Sequence, residues 1–338
     1  MQQASLADLA GIHIGHFSDS RRPTGCTVVL CPEGVTAGVA VVGAAPGTRE
    51  TDLLNPSSTV QQVHAIVLSG GSAFGLDAAS GVMRWLKEHD YGLSVGPVRV
   101  PIVPAAVLFD LWVDDFTQPH GSGIYPDANA GYQACVEAVQ NPEGSLLQGN
   151  IGAGTGATVG KLNGPECAMR GGLGWAAVAV NGITVAAIVA CNAVGDVIDP
   201  KTGQILAGAR TTPDSRTCLN AVDAELNGLS SNGLKAGSNT TIGVIMTDAH
   251  LDKAQAQRLA QVGHDGLART IRPVHTAMDG DTLFALATGK NATPVDLMQM
   301  ATAAGEVTAM AVTNAIRHAR TLRIGNNWFP ACAELTDS

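Results

Sequence analysis

Apolar positions along the chain gather into two kinds of stretch. Cys26–Leu30, Thr36–Val42, His64–Ser69, Leu173–Val180, Ile183–Ala190, Thr240–Thr247 and Thr282–Ala287 are short and mostly apolar without interruption. Such runs predict strands covered on both faces. Two of them flank Asn181-Gly182, the dipeptide favoured in a two-residue hairpin turn. Phe74–His89, Asp127–Val139, Leu251–Arg269 and Val295–Arg320 are longer, and the third spaces its apolar residues at three and four, which predicts amphipathic helix. Hairpins together with helices point to an α+β fold rather than a doubly wound parallel sheet.

One segment breaks the pattern. Asp199–Ser238 is rich in Gly, Thr, Asn and Asp, and its end, LNGLSSNGLKAGSN, has little to bury, so it reads as a long exposed loop. The chain then enters TTIGVIMTDA, a core strand that starts abruptly at Thr240. From composition alone, this is equally the pattern of an ordinary insertion before a strand.

Composition narrows the classes. Charged residues are only 14% of the 338 and hydrophobic ones 45%, so the chain is not disordered and must hide its surface in a thick core or in subunit contacts. The net charge of −9 and the absence of Lys/Arg runs longer than two argue against nucleic acid as a partner. No apolar run reaches the ~18 residues of a membrane span, and the first residues lack the pattern of a signal peptide. Seven scattered cysteines with no C-x-x-C fit buried free thiols and a cytoplasmic location. Forty glycines without a fixed period fit tight turns and close backbone approaches.

Several motifs bear on chemistry. Gly149–Ala157 followed by Gly160-Lys161 looks like a phosphate cradle, but Thr155 stands where a P-loop needs its first Gly, and Leu162 replaces the magnesium-binding hydroxyl. Ser69-Gly-Gly-Ser-Ala-Phe-Gly75 follows a strand and opens a helix, which suits either a tight turn or an anion site. His275, Asp279 and Asp281 cluster just before a strand; they suit a solvated turn, a metal, or a carboxylate pair that orients a nucleophile. No cysteine-protease motif surrounds any of the cysteines.

Taken together, the motifs resemble the L-aminopeptidase/D-esterase family of self-processing N-terminal-nucleophile hydrolases, which includes nylon-oligomer hydrolases. Five stretches follow that family's order: Leu68–Asp77, Gly152–Ala157 with Lys161, Ala190–Gly195, Gly237–Ile242 and His275–Phe284. The Asn-Thr-Thr and Met-Asp-Gly-Asp-Thr versions look closer to the nylon-oligomer branch than to the Ser-nucleophile aminopeptidases. The resemblance implies a four-layer α/β/β/α sandwich in a single domain. It implies a self-made cut between Asn239 and Thr240, leaving fragments 1–239 and 240–338 that stay together and assemble as a homo-oligomer. It further implies Thr240 as nucleophile, with Lys161, Asn192, Asp279 and Asp281 around it, and no metal or other cofactor. Gly70, Gly71, Ser72 and Phe109 fall in the stretches expected to contact substrate. Phe109 is a departure, because the family often has a Tyr there that carries a hydroxyl.

The chemistry needs these residue types. A Thr hydroxyl requires a base. A newly freed α-amine, with a reference pKa of ~7.7–8.0, supplies one, whereas the amide nitrogen of an uncut chain does not. Asp279 and Asp281 are expected to bind the Thr240 hydroxyl or amine. Lys161 is expected to lower the amine's pKa by like charge and to steady the oxyanion, and the Asn192 amide to donate to that oxyanion. The reading is an aminopeptidase or amidase of small amine-bearing substrates. An endo-acting oligoamide hydrolase and an acyltransferase of the ornithine acetyltransferase type on the same fold are the alternatives, and a non-enzymatic binding protein is a third.

Overall fold

The computed structural model describes residues 2–117, 121–229 and 237–335. Twelve elements carry the architecture: β1 (His13–Ser18), β2 (Gly25–Val41), β3 (Val63–Ser69), α1 (Ala78–Glu88), β4 (Ala105–Val107), α2 (Ala128–Gln140), β5 (Gly172–Val180), β6 (Ile183–Asn192), β7 (Thr240–Ala249), α3 (Lys253–Thr270), β8 (Thr282–Asn291) and α4 (Leu297–Arg317). All seven strand predictions and all four helix predictions fall on these elements. The strands Cys26–Leu30 and Thr36–Val42 are one strand, however. Pro32 and Gly34 look like a turn in the sequence, yet β2 runs through them with a register irregularity between Leu30 and Val35 and a φ of +81° at Gly34.

That irregularity lets β2 serve two sheets. Its last residues pair antiparallel with β8, completing the order β5-β6-β7-β8-β2. Its first residues pair with β1 and β3, and β3 pairs parallel with β4. β5 and β6 meet in the predicted hairpin, with Val180 opposite Ile183 and positive φ at both Asn181 (+51°) and Gly182 (+80°).

Alternation along the strands builds the layers. Ile188, Ala190, Ile242, Val244 and Phe284 face Val29, Ile66 and Leu68 of the second sheet. Their neighbours Val185, Ala187, Val189 and Ile245 face Leu259 and Leu267 of α3 and Val307 and Ala311 of α4. On the far side Val28, Leu30 and Val67 pack on Val82 and Trp85 of α1 and Ala134 of α2. The chain is an α+β, helix/sheet/sheet/helix sandwich with three apolar interfaces. Complete burial of a side chain such as Phe284 contributes about 1.5–3 kcal/mol.

Asp199–Ser238 is less exposed than its composition suggests. Ile205–Ala207 pairs with Asp196–Ile198, a short helix spans Ala221–Leu226, and Arg210 is fully buried. The Arg210 guanidinium donates to the carbonyls of Glu166, Cys167, Ala168, Pro213 and Trp328, and that set of partners clamps the segment to the body. Residues 230–236 of the predicted loop lie outside the described residues. All seven cysteines are free, and six are buried. Among the described residues no helix is long and apolar enough to cross a membrane.

Candidate active site

Strand pairing alone assembles the site. β6 and β7 are antiparallel with Asn192 opposite Thr240. β7 and β8 are parallel with Ile242 beside Thr282, so the turn that enters β8 lies against the residues that enter β7. Asn239 forms a bridge with Asp279. Residues almost 90 apart in sequence thus meet at the mouth of one buried strand.

The bond Asn239–Thr240 is intact and closed off, with Asn239 fully buried and Thr240 2% exposed. The Thr240 hydroxyl hydrogen-bonds to the Asn239 carbonyl. The same carbonyl accepts the Gly280 N–H at 3.0 Å. Asp281 does not take the Thr240 hydroxyl; its Oδ1 accepts the Thr241 N–H at 2.7 Å, and its Oδ2 meets His275 Nδ1 at 2.7 Å. Asp279 Oδ2 accepts the Thr276 N–H at 2.7 Å. The expected carboxylate contacts to Thr240 are therefore not made here. The Thr240 nitrogen is an amide bonded to Asn239, so no α-amine is present at this position to receive one. Burial and the neighbouring charge of Asp281 push the Asp279 carboxyl up to about 6.

The other wall comes from farther away. Lys161 is fully buried behind the turn at Gly160, whose φ is +70°; a Cβ there would stand 2.0 Å from the Gly208 carbonyl carbon. Lys161 Nζ donates to the Asn192 backbone oxygen at 2.9 Å and to Asn192 Oδ1 at 3.0 Å, and lies 5.5 Å from the centre of the Trp112 ring. Burial brings its pKa down to about 7, while the charge of Asp279 pulls it back up. The Asn192 amide has only one possible orientation. The Thr158 N–H can only donate and lies 3.0 Å from Oδ1; the Phe109 carbonyl can only accept and lies 3.0 Å from Nδ2. One Nδ2 hydrogen is thus engaged by Phe109, and a second remains on the same nitrogen. Among the described residues no group of three or more His, Cys, Asp or Glu is arranged to hold a metal.

Residues 4–327 match the family model for peptidase family S58. The chain belongs to that family. An uncharacterized aminopeptidase of Mycobacterium leprae is 44% identical over 306 residues, covering 84% of this chain and 78% of its own length. A 6-aminohexanoate-oligomer endohydrolase of Kocuria sp. is 31% identical over 285 residues, covering 83% of this chain and 74% of its own. Among solved structures, a Burkholderia sp. beta-aminopeptidase superposes with a TM-score of 0.68 at 20% identity, over 98% of this chain and 91% of that one. The L-aminopeptidase D-Ala-esterase/amidase of Ochrobactrum anthropi, described as a variant of the Ntn hydrolase fold, gives 0.64 at 19% identity, over 97% and 90%. This chain is a hydrolase of the S58 family with the fold of those enzymes.

Within this S58 chain the backbone N–H groups of the glycine loops already have partners. The N–H groups of Gly70, Gly71 and Ser72 donate to the Gly25 carbonyl, Asp110 Oδ1 and the Leu108 carbonyl at 2.9 Å each, so none of them is open to substrate. Gly152 and Ala153 likewise donate to the side chains of Ser18 and Thr27. The glycines make room for a carboxylate instead: a Cβ on Gly70 would stand 2.2 Å from Asp110 Oδ2. Asp110, fully buried and paired with Arg22 at 2.7 Å, also accepts from Thr24, and so ties three chain segments together. Sequence reasoning gave Asp110 no role, because its partners are distant in sequence. Trp112, which packs edge-on against Phe109 with ring centres 5.0 Å apart, was also missed. Phe109 meets Asn192 through its carbonyl. A surface cavity of about 870 Å³ lies elsewhere, between β5 and α4, and none of these residues lines it.

Proposed function

We propose that this chain is an N-terminal-nucleophile amidohydrolase of the aminopeptidase/amidase type that cuts itself between Asn239 and Thr240 and then uses Thr240 as its nucleophile. The observation that carries the reading is the Thr240 hydroxyl resting on the carbonyl of the residue before it, between the Asn192–Lys161 wall and the Asp279–Asp281 turn. The cut frees the α-amine that serves as base. It also frees residues 237–239 to withdraw from a site that is buried in the uncut chain. Asn192 then offers its second Nδ2 hydrogen to the oxyanion of the substrate, and Lys161, seated on Oδ1 of the same amide, polarises it.

Small acyl groups bearing a free amine suit an acidic chain with net charge −9. A second reading, endo-cleavage of ω-amino oligoamides, draws support from the Kocuria relative that is named for that reaction. Two measurements test the proposal. Amino-terminal sequencing of the smaller fragment should read Thr-Thr-Ile-Gly-Val, and any other start removes Thr240 from the role. Free and N-acetylated alanyl and glycyl p-nitroanilides should differ in rate, with the acetylated ones poor; equal rates favour the endo reading.

A further inference from the structure

We infer that the backbone N–H of Gly280 is the oxyanion donor of the self-cleavage step, a task distinct from that of the Asn192 amide. The inference rests on the processing reading above and specifies which group stabilises its transition state. Gly280 N lies 3.0 Å from the Asn239 carbonyl oxygen, the atom that gains charge when the bond to Thr240 is attacked. On the reacting side, the Thr240 hydroxyl lies against the same carbonyl. Asn192 has its hydrogen bonds with other groups, Nδ2 with the Phe109 carbonyl and Oδ1 with Lys161 and the Thr158 N–H.

The step balances. The Thr240 Oγ lone pair forms a bond to the Asn239 carbonyl carbon, and the C=O pair moves onto oxygen, where the Gly280 N–H receives it. Collapse breaks the C–N bond, and the proton lost from Oγ ends on the Thr240 nitrogen. Water then opens the ester, giving the Asn239 carboxylate and restoring the hydroxyl.

Two neighbouring observations explain why the residue is glycine. A Cβ at position 280 would stand 2.9 Å from Thr240 Oγ1 and 2.7 Å from the Ala45 carbonyl oxygen, inside the space the reacting hydroxyl occupies. The donor is also held rigidly. Asp279 on one side forms the bridge to Asn239 and gives its carbonyl to the Ala45 N–H at 2.8 Å, while Asp281 on the other holds the Thr241 N–H. The donor is therefore held on both sides, by backbone pairing through Asp279 and by the Asp281 side chain, as a preorganised oxyanion site requires.

The test removes that one hydrogen. A full-length chain translated in vitro with glycolic acid in place of Gly280 keeps a turn without a side chain and replaces the N–H by an ester oxygen. Conversion of the 34.5 kDa chain to fragments should slow by about 10²–10³-fold relative to wild type translated in the same way. Cleavage at the wild-type rate overturns the inference and leaves the processing reading standing; a wild-type chain that is never cut at Thr240 overturns both. Because the ester chain depends on folding correctly, a second measurement uses the uncut Thr240→Ala chain labelled with ¹⁵N-glycine and ¹³C-carbonyl asparagine. A scalar coupling between Gly280 N and the Asn239 carbonyl carbon is expected, and its absence overturns the inference independently.

Discussion

The two walls that flank Thr240 are built in opposite ways. The Asn192 wall is made by long-range packing: Lys161 from the glycine-rich turn, Phe109 and Trp112 from the stretch after β4, and Asn192 from the end of β6. It holds a buried amine whose pKa is brought down to about 7. The Asp279–Asp281 wall is one short turn, and apart from the Asp281–His275 pair its groups bind backbone: the Thr241 and Thr276 N–H groups and the Asn239 carbonyl. One wall thus presents side-chain chemistry to whatever enters, and the other fixes the peptide of the protein itself. Changes in the first should fall mainly on substrate turnover, and changes in the second on processing.

The sharpest break of this comparison removes the group both walls serve. Thr240→Ala should leave a single 34.5 kDa chain where wild type gives fragments of about 24 and 10 kDa, in proportion to their lengths, and should abolish hydrolysis. A denaturing gel with an activity assay reads both results. If the variant is still cut at the same bond, neither wall has been understood.

Next in size is Lys161→Ala. It strips two donated hydrogen bonds from Asn192 and the cation that polarises its amide. Hydrolysis of an alanyl p-nitroanilide should fall by about 10²-fold, the scale of one oxyanion donor, while fragments still form. A loss of processing equal to the loss of turnover would mean that the walls do not divide the work.

How much of this was legible beforehand follows the same division. The strands were legible because their apolar runs are nearly unbroken, and the start of β7 because hydropathy changes abruptly at position 240; Thr240 as a nucleophile was suggested by the resemblance alone. The Asp-Gly-Asp turn was visible as two carboxylates, but the role of Gly280 was not, since a backbone N–H carries no residue-type signal. Asp110 and Arg210 were passed over because each acts on carbonyls or N–H groups brought in by segments some 40 to 120 residues away. Substrate contacts were expected at Gly70, Gly71 and Ser72 because they fall in a stretch of the resemblance; the space beside Gly70 is filled by Asp110, and that beside Gly71 by Tyr125 and Pro126.

The smallest expected effect is a shift in pH dependence, and it tests whether the walls communicate. Burial lowers Lys161 to about 7, and the charge on Asp279 opposes that fall. If the charged ammonium polarises Asn192, turnover should decline as pH rises through the Lys161 pKa. Asp279→Asn removes the opposing negative charge, so the pKa drops further and the declining limb moves to lower pH. Stability runs the other way. Between about 7 and the ordinary value of 10.5, the unfolded chain binds more protons at this lysine than the folded one, so its contribution to stability grows with pH across that window and is lost as pH falls towards 7. Asp279, raised to about 6, has the opposite sign: its contribution is complete below the ordinary 3.8 and is lost as pH rises through 6. The protonated lysine that turnover needs is thus the form the fold disfavours, and the carboxylate of the other wall is what keeps it accessible. Rate and melting profiles of wild type and Asp279→Asn across pH 5–9 check this. A declining limb that stays in place, or moves to higher pH, would show that the two walls act without sensing each other.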